Sequence, residues 1–81
     1  MRIDKFLKVS RIIKRRTVAA AACSGGRVFI NGKQAKPGSE VSVGDILEIG
    51  FGEKIIKVEI LKITEHVLKD DAADMYKILE G

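Results

Sequence analysis

The chain has no tryptophan, one tyrosine and three phenylalanines, and this scarcity removes one class of function. Phe6, Phe29, Phe51 and Tyr76 are too few for a surface that stacks successive unpaired bases on aromatic platforms. A single cysteine, Cys23, excludes a disulfide framework and a thiolate metal site. The single histidine, His66, has no second metal ligand of its type and reads as a surface or half-buried side chain. No stretch approaches the ~20 apolar residues of a membrane span. The basic N-terminus lacks the uninterrupted apolar core of a signal peptide, so a cytosolic chain without a membrane partner is expected. There is no low-complexity segment, internal repeat or dividing linker. At 81 residues, with 46% hydrophobic content rich in Ile and Val, the chain can build one small core.

What is present is an asymmetry of charge. Residues 1–17 hold seven bases (Arg2, Lys5, Lys8, Arg11, Lys14, Arg15 and Arg16) against one acid, Asp4, for a charge of +6. Residues 18–81 hold eight bases and ten acids, for −2. Clustered Lys and Arg displace counterions condensed on a phosphate backbone, so a polyanion is the natural partner of such a head. Ile3, Phe6 and Leu7 recur among these cations at helical spacing, a stripe that a disordered basic tail would lack. The cations therefore sit on a folded surface.

The periodicities divide the chain into six main elements. Residues 2–9 form a short helix with Asp4 in its first turn, where a carboxylate suits the helix dipole. Residues 10–16 are a turn too charged to be buried. Thr17 is a suitable N-cap for a compact helix over residues 18–23, whose small side chains allow close approach to the first helix. Ser24-Gly25-Gly26 ends it, with a glycine for the left-handed position after the helix. From Arg27 the period becomes two, and Asn31-Gly32 is a two-residue hairpin turn between Val28–Ile30 and a short strand at Gln34-Ala35. Pro37-Gly38 and Gly44-Asp45 are turns. Strands follow at residues 46–51 and 54–63, joined at Gly52-Glu53, with Ile56, Val58 and Ile60 facing one way. In the tail, Ala72, Met75, Tyr76 and Leu79 fit one helical face after a cap at Asp70 or Asp71. An edge strand over residues 75–79 is the alternative. The expected architecture is α+β, two N-terminal helices packed on a small twisted antiparallel sheet, with residues 1–63 as the domain and 64–81 as an appendage packed on it.

Several motifs stand together at a characteristic spacing. They are Arg2-Ile3-Asp4-Lys5-Phe6-Leu7, then Arg11, then Lys14-Arg15-Arg16-Thr17, then Gly26-Arg27-Val28-Phe29-Ile30-Asn31-Gly32, Lys36-Pro37 and Val43-Gly44-Asp45. As a set over residues 1–50, they resemble the S-four-type (alpha-L) RNA-binding domain. Ala72-Ala73 and Met75-Tyr76 extend the likeness to short stand-alone bacterial members that serve ribosome-associated quality control. That resemblance implies binding to large ribosomal subunits blocked by a peptidyl-tRNA. Contacts would be made to large-subunit ribosomal RNA and to tRNA in the P site, supporting alanine tailing by an RqcH-type factor. A heat-shock-type relative of the same domain carries a long basic C-terminal extension. Here the tail holds Asp70, Asp71, Asp74 and Glu80, which favours the quality-control reading.

Arg11, Arg15 and Arg16 are the leading candidates for RNA contact, because a guanidinium binds phosphate bidentately and stacks on bases. Arg2, Lys5 and Lys8 add field and positioning, and Lys14 belongs to the same expected RNA-binding set. Thr17 either contacts phosphate or only caps its helix. Arg27, Lys33 and Lys36 either extend the patch or guard a sheet edge. Asp4 is expected to orient neighbouring Arg side chains, and Cys23 to fill core. No nucleophile or acid–base pair shares the basic face, so a non-catalytic, monomeric factor without cofactor or metal is expected rather than an RNA-modifying enzyme. A regulator or assembly factor for structured RNA is the competing reading. Membrane docking is disfavoured by the shortness of the first helix.

Overall fold

The computed structural model describes residues 1–65 and 71–79. Helices α1 (Ile3–Val9) and α2 (Arg16–Ser24) are followed by strands β1 (Val28–Ile30), β2 (Lys33–Gln34), β3 (Ile46–Phe51) and β4 (Lys54–Ile60). A 3-10 turn (Ala72–Met75) then leads into β5 (Tyr76–Leu79). The strands form one antiparallel sheet in the order β2-β1-β3-β4-β5.

The inner face of the sheet carries the alternating apolar residues Val28, Leu47, Ile49, Val58 and Ile60, each fully buried. Ile3, Phe6 and Leu7 of α1 and Ala19, Ala22 and Cys23 of α2 close the core over them, joined by Met75 from the tail. Ile56 packs against the same cluster, so the expected one-sidedness of β4 holds. Burying each large apolar side chain of this set contributes about 1.5–3 kcal/mol, which is how a domain this small becomes stable.

The two helices end alike, by different residues. After α2, Gly26 has φ +76°, Arg27 N–H donates to Ala22 C=O at 3.0 Å and Gly26 N–H to Cys23 C=O at 3.1 Å. That is the Schellman pattern expected of the glycine pair. After α1 the left-handed position is taken by Arg11, at φ +64°, with its N–H donating to Lys8 C=O at 3.1 Å. Only Asn31, at φ +50° in the hairpin turn before Gly32, shares that conformation among described non-glycine residues.

Four expectations need correction. The segment between the helices is not wholly exposed: Ile13 is 6% and Ser10 1% exposed, while the bases around them face solvent. Ile13 N–H donates to Leu7 C=O at 3.0 Å, which folds the turn back onto α1. Thr17 does not cap α2, because that helix begins one residue earlier, with Arg15 at the N-cap and no side-chain cap bond. The expected tail helix is a single 3-10 turn, and Tyr76–Leu79 is a strand paired with β4 from Lys57↔Leu79 to Ile60↔Tyr76. Pairing satisfies the β4 edge, which a short helix could not do. β4 itself ends at Ile60 rather than Ile63. His66, Asp70 and Glu80 lie outside the described residues.

Candidate RNA interface

The basic surface is built where the chain crosses from β2 to β3. Residues 37–39 of that crossing run beneath α1 and satisfy its first N–H groups, which no helical carbonyl can reach. Ile3 N–H donates to Ser39 C=O at 2.7 Å and Asp4 N–H to Pro37 C=O at 3.4 Å. Lys5 N–H donates to Asp4 Oδ1 at 2.7 Å. The start of α1 is thus seated on the sheet connection, and Arg2 is fixed just outside it.

Asp4 organises the cations around it. Its carboxylate is buried, Oδ2 accepting from Arg2 Nη2 at 3.3 Å and Oδ1 from Arg16 Nη2 at 3.4 Å. The orienting role expected of Asp4 is therefore seen in the geometry, and it joins the starts of both helices. The same carboxylate reaches Cys23 electrostatically. Burial first, and Asp4 second, push the Cys23 thiol above its ordinary value.

The other cations fall into distinct places. Lys8, Arg11 and Lys14, with Val9, line a shallow depression of about 450 Å³ at the end of α1. The left-handed backbone of Arg11 closes the helix there and carries its side chain to this rim. Lys5 pairs with Glu65 at 3.3 Å. Arg15 and Thr17 are exposed at the start of α2. Lys36 lines a second depression with Cys23, Ser24 and Gln34. Arg27 lies elsewhere, beside Phe29, Glu48 and Ile55 on the outer face of the sheet. Lys33 is exposed on the β2 edge.

Sequence reading did not foresee that Gly38 neighbours Arg2. A Cβ there would meet Arg2 Cζ and Nη2 at 3.8 Å, an ordinary van der Waals contact, so Gly38 neighbours the guanidinium with room for a methyl group. Pro37-Gly38 signals a turn, and no local pattern says which side chain will lie against it. Among the described residues no three His, Cys, Asp or Glu side chains are grouped to hold a metal ion, and no helix is long and apolar enough to cross a membrane.

Comparison with known proteins agrees with this architecture. The chain is 51% identical over 78 residues to the RQC P-site tRNA stabilizing factor of Halalkalibacterium halodurans, covering 96% of this chain and 89% of that one. It is 50% identical over 80 residues to the protein of the same name from Bacillus subtilis, covering 99% and 93%. Among solved structures, the trimeric Heat Shock Protein 15 of Vibrio cholerae superposes with a TM-score of 0.89 at 30% identity, over 98% of this chain and 81% of that one. The S4 domain model matches residues 1–47, the stretch that holds both helices, the β2–β3 crossing and the Asp4-centred arginines, and the chain belongs to the S4 domain family.

Proposed function

We propose that the chain is a non-catalytic RNA-binding factor of ribosome-associated quality control. It binds large-subunit ribosomal RNA and P-site tRNA on split, obstructed subunits and supports alanine tailing by an RqcH-type factor. The observation that carries this reading is identity of about half over nearly the full length of relatives named for stabilizing P-site tRNA. The basic surface supports it physically. Arg2, Lys8, Arg11, Lys14, Arg15, Arg16 and Thr17 are exposed beside a rigid helix pair, where they can engage phosphates, with Lys5 partly exposed among them. Lys36 borders this surface, whereas Arg27 and Lys33 serve as peripheral contacts. Such a protein works by holding tRNA and ribosomal RNA in a productive arrangement while its partner supplies the chemistry. It acts in the cytoplasm, at the ribosome.

The test is reconstitution. Purified protein added to obstructed large subunits with an RqcH-type factor and alanyl-tRNA lengthens the alanine tails made before dissociation. Without that partner it binds the subunit but no tail is made. Equal binding to empty and obstructed subunits, with tail length unchanged, would favour the heat-shock-type recycling or assembly reading. That alternative draws on the structural likeness to Heat Shock Protein 15.

A further inference from the structure

Asp4 is 4% exposed, and a carboxylate so buried is costly unless it is paired and hydrogen-bonded. Its partners are the Lys5 backbone N–H, Arg2 and Arg16. Yet the arginines are not consumed by the pairing: their side chains remain 52% and 46% exposed. A guanidinium carries five N–H donors, and a single Nη2 contact to Asp4 leaves most of them free. One buried carboxylate thus holds two outward-facing guanidinium groups on its opposite oxygens, one preceding α1 and the other opening α2.

We propose that Asp4 is a positioning residue that makes Arg2 and Arg16 a single phosphate clamp for a sugar–phosphate backbone. The inference rests on the RNA-binding reading above and deepens it. Two free arginines would each lose rotamer freedom on binding, whereas two held by Asp4 have lost it already, on folding. Opposing this, an anion behind the clamp repels phosphate through the field. The two effects differ in sign, so experiment can separate them.

The measurement is the Kd of the full chain for purified large ribosomal subunits carrying P-site tRNA, at fixed salt, with a thermal midpoint for every variant. Asp4→Asn keeps the shape and removes the charge. The clamp requires its Kd to rise roughly tenfold. If Asp4 were only an anion in a cationic field, or only a brace for the helices, Kd in the folded variant would fall or stay unchanged. Glu65→Gln gives the contrast: it removes an exposed carboxylate from Lys5 and should tighten binding. A cycle of Arg2→Ala, Arg16→Ala and the double variant leaves Asp4 in place. A clamp makes their losses overlap by about fivefold or more, while independent arginines multiply. Should Asp4→Asn fail to fold, multiplicative losses in this cycle overturn the clamp by themselves. Wild-type protein without salt-dependent binding would remove the RNA reading and the clamp together. Tighter binding by Asp4→Asn removes the clamp alone.

Discussion

The Asp4 carboxylate of α1 acts electrostatically on the buried Cys23 thiol of α2. The thiol is 2% exposed, and burial, reinforced by the Asp4 carboxylate, raises its pKa above the ordinary 9.0. A raised value means that the folded state holds the proton more tightly than the unfolded chain. Its contribution is fully present below pH 9.0, where the thiol is protonated in both states, and is lost as pH rises through the folded value. The thermal midpoint should therefore decline above that pH, and Cys23→Ala should decline less over the same interval. At neutral pH a thiol-specific disulfide reagent should label the native protein slowly and the denatured protein quickly. Native labelling at the denatured rate would show that the helix seam is open. The burial of Cys23 was legible in its alanine-rich surroundings. Its electrostatic neighbour was not, because residues 4 and 23 meet only when α1 packs on α2.

Each element is short, so packing rather than intrinsic propensity must hold it. Helix α1 has seven residues, too few to persist alone in water. Leu7 anchors it, with no exposed surface. Leu7→Ala should cost about 2–5 kcal/mol in denaturant unfolding, the range for truncating a buried leucine. The domain as a whole holds about 4–12 kcal/mol at ~0.05–0.15 per residue, so such a loss endangers folding itself. Met75 makes the same test at the other end of the chain, since it is fully buried at the turn into β5. If Met75→Ala loses a comparable 2–5 kcal/mol, the tail is part of the cooperative unit. A loss below about 0.5 kcal/mol, as at surface positions, would make it a detachable appendage. Helix and strand could not be separated in this tail because Ala72, Met75, Tyr76 and Leu79 fit a helical face. Met75 and Tyr76 also lead naturally into a strand. The open edge of β4 decided between them, and an edge is a property of the sheet rather than of residues 72–79.

Across the whole molecule, the division of charge predicts how binding responds to salt. If four to six phosphates are neutralised, log K should fall against log salt with a slope of roughly −3 to −5, at ~0.7–0.9 per contact. Fluorescence titration across a salt series measures it, and a nearly flat response would exclude an electrostatic interface. Residue order alone settled the cationic head, the apolar stripe Ile3-Phe6-Leu7, the Asn31-Gly32 hairpin and the glycine stop after α2. These depend on spacing of a few residues, where periodicity and backbone preference act directly. Tertiary structure alone decided that Arg11 closes α1, that Gly38 neighbours the Arg2 guanidinium, and that Arg27 leaves the helical patch for the outer sheet face. It also decided that β5 completes the sheet. Each of these joins groups far apart in the chain or replaces a preferred residue at a helix end. Their energies arise only after the helices and sheet have packed, so no local pattern in the sequence records them.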